Sequence, residues 1–112
     1  MAENLILDLT FKFSIDSIAF SEVLEENKKY NMAKQYWRSS TCIGAMVRES
    51  QGAESKADFR HKLKIAYKEA EESECWLLLC KHSETYSFND NLLEQVAVIK
   101  KVLGKIITST KN

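Results

Sequence analysis

Between Ser55 and Cys80 the apolar and small residues Phe59, Leu63, Ala66, Ala70, Ser73, Leu77 and Cys80 recur at steps that alternate four and three. An unbroken heptad seam of this length calls for a long helix packed along its whole length against other helices. The chain has no proline and only three glycines, so helices end only where turn chemistry ends them. The same stretch is charged against its own dipole. Lys56, Arg60, Lys62, Lys64 and Lys68 crowd its N-terminal half, and Glu69, Glu71, Glu72 and Glu74 crowd its C-terminal half. A helix favours the opposite order. Compensation is expected from outside the helix: a neighbouring helix, another subunit or a ligand.

Three more periodic segments accompany it. The first spans about residues 4–26, with Ile6, Leu9, Phe13, Phe20 and Leu24 on one face. Phe11, Ile15 and Ile18 widen that face beyond what one contact needs, which predicts burial on two sides, the second by a helix or another subunit. The polar run from Glu25 to Lys29 ends it. The second segment, 31–51, opens at Asn31 as N-cap and carries Met32, Tyr36, Ile43 and Val47. Between them lie Ser39, Ser40, Thr41, Cys42, Gly44 and Ala45, small residues that permit close helix–helix approach and are otherwise costly in propensity. The seam helix itself is expected over 55–81, capped by Ser55 with Asp58 completing an approximate capping box. The fourth, 89–108, opens at Ser87 or Asn89 and has the seam Leu92, Val96, Ile99, Leu103, Ile106. The tail from Thr108 to Asn112 is expected to fray. Short connections make neighbours antiparallel, so the expected fold is all-α: an up-down-up-down four-helix bundle, one domain of 112 residues.

Sixteen basic and sixteen acidic side chains cancel, so any nucleic-acid contact must come from a local patch. The segment MAENLILDLTF lacks a basic n-region and does not read as a signal peptide. No apolar run is long enough to span a membrane. Three cysteines, Cys42, Cys75 and Cys80, with no CxxC, read as buried free thiols of a reducing cytoplasm. A di-metal bundle site needs two Glu-x-x-His pairs. Only Asp58 to His61 approximates one, so no metal or other cofactor is expected. No catalytic constellation or phosphate loop is present either, and no small-molecule substrate is expected.

One feature points to a ligand. Lys56, Arg60, Lys64 and Lys68 recur every four residues as a stripe, with Tyr67 beside it and His61 close in sequence. Arg38 and Arg48 extend the stripe if the faces of the second and third helices coincide. Such a stripe holds phosphates, or is a solvated face with local ion pairs. The aromatics Tyr36, Trp37, Tyr67, Trp76 and Tyr86 read as core or subunit-interface packing.

The runs RSSTCIGAMVRE (38–49), AESKADF (53–59), HKLKIA (61–66) and KEA (68–70) resemble the four-helix-bundle proteins encoded in 23S rRNA intervening sequences. Cys42, Met46 and Ser50 depart from the residues usual there, and Met46 removes an amide from the second helix. The resemblance implies a non-enzymatic bacterial protein of the cytoplasm that self-associates, as a homopentamer, with a suspected RNA-related role. Accessory proteins of diversity-generating retroelements are a related, more basic group that forms pentamers and binds nucleic acid. A ring would let the basic half of one third helix approach the acidic region of a neighbour, with Glu69 and Glu72 at the interface and Phe11, Ile15 and Ile18 partly buried there. Two functions stand side by side: an oligomer that binds RNA or a ribonucleoprotein through Arg38, Arg48, Lys56, Arg60, Lys64 and Lys68, or a protein-interaction scaffold without nucleic acid.

Overall fold

The computed structural model describes residues 2–110; Lys111 and Asn112, part of the tail expected to fray, lie outside them. Four helices follow one another: α1 (Ala2–Glu26), α2 (Tyr30–Ser50), α3 (Lys56–His82) and α4 (Asp90–Ser109). α1 packs on α2 and α4, and α3 packs on α2 and α4, while the diagonal pairs do not touch. This is the antiparallel up-down-up-down four-helix bundle, 46 Å long and 19–20 Å across.

All four helices carry a heptad seam into one core. In α3 the buried set is Leu63, Ala66, Ala70, Ser73, Leu77 and Cys80, with Phe59 half-buried against it. In α4 it is Leu92, Val96, Ile99, Leu103 and Ile106. The seams of α1 and α2 are partly polar. α1 buries Ile6, Thr10, Phe13, Ser17, Phe20, Ser21 and Leu24, and α2 buries Ala33, Tyr36, Ser39, Ser40, Ile43, Val47 and Ser50. Leu9 and Met32, read as seam residues, are only half-buried. The hydroxyls are tolerated because each is bonded. Thr10 and Ser21 donate to the carbonyls of Ile6 and Ser17 at 2.8 and 3.0 Å. Ser17 pairs with the Tyr36 hydroxyl at 2.7 Å, and Ser73 donates to Ser39 across the α2–α3 contact at 2.9 Å. Gly44 lies at a close α1–α2 approach, since a Cβ there would lie 3.2 Å from Ser14 Oγ and 3.4 Å from the Thr10 carbonyl oxygen.

The helix ends correct several expectations. α2 begins at Tyr30, with Lys29 at the cap position and no side-chain cap, so Asn31 is an interior residue. The chain leaves α1 through a Schellman motif: Lys29 N–H donates to the Leu24 carbonyl at 2.8 Å and Lys28 N–H to that of Glu25 at 2.9 Å. Lys28 sits at the left-handed position of this motif, at φ 65°. Ser55 accepts from the Asp58 N–H at 3.0 Å as expected, but the Asp58 carboxylate accepts from Glu54 rather than completing the box on Ser55. The Glu54 N–H, ahead of Lys62, holds the Asp58 carboxyl below its usual range. Asn89, not Ser87, caps α4 by accepting from the Leu92 N–H at 3.0 Å. Ser87 instead accepts from the side chain of Asn27. α4 continues through Ser109, and the Thr110 hydroxyl bonds the carbonyls of Ile106 and Ile107, so helical structure reaches into the segment read as frayed. Among the described residues no helix is long and apolar enough to cross a membrane.

Candidate nucleic-acid interface

The charge split of α3 is answered unevenly. The acidic half finds its partners on the neighbouring helices of the same chain, two cations shared among four carboxylates. Arg38 of α2 forks onto Glu69, at 3.3 Å, and Glu72, and Trp76 Nε1 donates to Glu72 at 3.3 Å. Lys100 of α4 lies 3.0 Å from Glu74 and 4.0 Å from Glu71. The Glu74 contact, ahead of other causes, raises the Lys100 pKa above its ordinary value.

The basic half has no such partners. Among the described residues Lys56, Lys64 and Lys68 make no ion pair, while Lys62 pairs with Asp58 at 3.3 Å within the helix. Arg60 donates from Nε to the Ile107 carbonyl at 3.2 Å. That bond satisfies a carbonyl in the last turn of α4, where a cation also complements the dipole, and it leaves the rest of the guanidinium to other contacts.

These residues edge two clefts along the α3–α4 seam. One, of about 460 Å³, is lined by Lys56, Ala57, Arg60, His61, Lys64 and Thr110. The other, of about 380 Å³, lies between Lys64, Tyr67, Lys68 and Glu71 on α3 and Gly104, Ile107 and Thr108 on α4. Lys64 is common to both. The Tyr67 ring is half-buried, with Lys100 Nζ 5.8 Å from its centroid.

The other residues read as site candidates lie elsewhere. Arg38 is engaged across the α2–α3 contact with Glu69 and Glu72, the two acids expected at a subunit boundary. Arg48 edges a small cleft of about 160 Å³ between α1 and α2, with Leu7, Phe11 and Gly44. In a bundle whose diagonal helices do not touch, that groove is on the opposite side from the α3–α4 seam. The faces of Arg38 and Arg48 therefore do not continue the stripe. Phe11 and Ile15 are 61% and 53% exposed. Ile18 is half-buried in a second α1–α2 cleft with Tyr30 and Trp37, both exposed. Trp37 is exposed on the single chain and so is not core packing, whereas Tyr36 is buried and Tyr67, Trp76 and Tyr86 rest on the core.

The thiols also divide. Cys80 is buried, and desolvation pushes its pKa up to about 11. Cys42 is half-buried and Cys75 is exposed, against the expectation of three buried thiols. Cys75 falls midway between Ser73 and Leu77 of the seam, which turns it outward on the helix. Among the described residues no three His, Cys, Asp or Glu side chains converge as a metal would require.

The profile for 23S rRNA-intervening sequence proteins matches residues 2–105. The chain belongs to this family. A crystal structure at 1.70 Å of a protein of unknown function from the S23 ribosomal protein family of Bacteroides thetaiotaomicron superposes with a TM-score of 0.89. The two share 36% identity over 96% of this chain and 99% of that one. No curated protein matches. Within this intervening-sequence family member, the α4 wall of the clefts was not legible in the sequence, although Arg60, Lys64, Tyr67 and Glu71 share one flank of the α3 heptad and so had to face the same neighbour.

Proposed function

We propose that this intervening-sequence protein is a non-catalytic, self-associating bundle of the cytoplasm that binds RNA through the basic half of α3. The supporting observation is the uneven charge compensation. Arg38 and Lys100 pair with the acidic half of α3 from within the chain, while among the described residues Lys56, Lys64 and Lys68 make no ion pair and stand beside open clefts. Desolvated apolar ligands have no use for such a surface, and phosphates do. Self-association as a homopentamer, which the family resemblance implies, would use the α1 face of Phe11, Ile15 and Ile18, on which Phe11 and Ile15 are largely exposed and Ile18 is half-buried.

Native mass spectrometry of protein purified at low salt without nuclease tests both parts. The expected species is an oligomer carrying RNA. An RNA-free oligomer would move the reading to a protein scaffold, and a monomer would remove the assembly.

A further inference from the structure

The two clefts beside the basic stripe meet at Lys64 and together make a trough from Lys56 past Lys68 to Glu71. α3 lines both; opposite it stand Thr110, at the C-cap of α4, in the first and Gly104, Ile107 and Thr108 in the second. Packed helices stand about 8–10 Å apart. Double-stranded RNA is held by modules that span successive grooves. A concave trough this narrow suits one backbone.

The charges in the trough are arranged along one line. Steps of four residues place successive cations about 6 Å apart along α3, and the run from Lys56 to Lys68 covers about 18 Å. Glu71 ends it with the opposite sign, so phosphates are held on the Lys56 side of that residue. An aromatic face belongs to the same trough. Tyr67 lines it between Lys64 and Lys68, with Lys100 Nζ 5.8 Å from its ring centroid. Opposite Tyr67 the wall is Gly104: a Cβ at that position would lie 3.9 Å from Tyr67 Cε2. A Cβ there would make only an ordinary contact with the ring, so it is a longer side chain that would fill the trough at this point. A line of cations that follows a backbone, with an aromatic ring in its floor, is the recognition chemistry of single strands and is tolerant of sequence.

Resting on the RNA reading above, we infer that the ligand of the α3–α4 trough is single-stranded RNA, held as a short segment of about four nucleotides, one phosphate for each stripe cation, with a base against Tyr67 at the gap left by Gly104.

The test is fluorescence anisotropy with a labelled oligouridylate and a blunt RNA duplex of the same length, against wild type, Gly104→Leu, Tyr67→Leu and the fourfold alanine variant of the stripe. Gly104→Leu adds bulk in the trough, alters no charge and raises helix propensity, and circular dichroism checks that each variant folds. The expected result is single-strand binding about tenfold tighter than duplex binding, with that advantage lost in Gly104→Leu and Tyr67→Leu. Equal affinity for both RNAs, or indifference of the single strand to Gly104→Leu, with binding still lost in the fourfold variant, would overturn the single-strand inference and leave the RNA reading standing. Binding of neither RNA would overturn both.

Discussion

The Ser17–Tyr36 pair allows a stability prediction in which the two partners behave differently. Both residues are fully buried, their oxygens are 2.7 Å apart, and the Tyr36 ring packs edge-on against Phe20 with centroids 5.7 Å apart. Tyr36→Phe keeps the ring packing and removes only the hydroxyl. Ser17, left behind, is on a helix and can turn its hydroxyl to the carbonyl four residues back, as Ser14 and Ser21 do. The loss is then one net hydrogen bond, about 1 kcal/mol. Ser17→Ala leaves the phenolic hydroxyl of Tyr36 buried in the core with no backbone group it can turn to, and such an orphan costs about 2 kcal/mol. With about 2.1 cal/mol/K of unfolding entropy per residue, each kcal/mol moves Tm by about 4 °C. Scanning calorimetry should therefore give a drop of about 4 °C for Tyr36→Phe and about 8 °C for Ser17→Ala. The double variant has no orphan and should fall close to Tyr36→Phe alone, a coupling of about 2 kcal/mol. Additive losses, or a Tyr36→Phe variant less stable than Ser17→Ala, would refute this reading of the buried pair.

Two other predictions follow from single residues. Lys28 occupies a left-handed conformation that costs a side-chain-bearing residue about 1 kcal/mol relative to glycine; Lys28→Gly should raise Tm by about 4 °C in thermal denaturation, and no gain would mean that the Lys28 side chain makes a compensating contact. Burial raises the Cys80 pKa from 9.0 to about 11, so the stabilisation is intact below pH 9 and is lost as pH rises toward 11, a decline of about 2–3 kcal/mol; urea titrations should show that slope in wild type and a flatter one in Cys80→Ala, and identical slopes would contradict it.

The fold was legible where the seams are apolar. α3 and α4 bury the residues their periodicity predicts because apolar and small side chains carry those positions. α1 and α2 were read less well because Thr10, Ser17, Ser39, Ser40 and Ser50 occupy core positions and look polar in a pattern search. Their hydroxyls close onto nearby carbonyls or onto each other, which makes them compatible with a core while hiding them from a count of apolar steps. The cap of α2 was misread for a different reason. Asn31 is a good capping residue type, but the Schellman exit of α1 already fixes the chain path at Lys28 and Lys29, so the helix begins one residue before it.

The site was half legible. The stripe of α3 is a property of one helix and is visible in sequence. Which charges are cancelled depends on contacts between residues far apart in the chain, such as Arg38 with Glu69 and Glu72 or Lys100 with Glu74, and no local pattern reports them. Arg38 reads as one more basic residue in sequence and acts in the bundle as the counter-ion of α3's acidic half. Arg48 was separated from the stripe by the same geometry. Gly104, isolated among lysines and apolar residues, gave no signal of the space it leaves beside Tyr67.

The most direct test is the salt dependence of RNA affinity for wild type and for the variant carrying Lys56→Ala, Arg60→Ala, Lys64→Ala and Lys68→Ala. Each phosphate neutralised on a single strand contributes about −0.7 to the slope of log K against log salt concentration, so four cations contribute about −3. The account predicts that the fourfold variant binds more weakly at low salt and that its slope is shallower by about 3. An unchanged affinity and slope in a folded variant would contradict it.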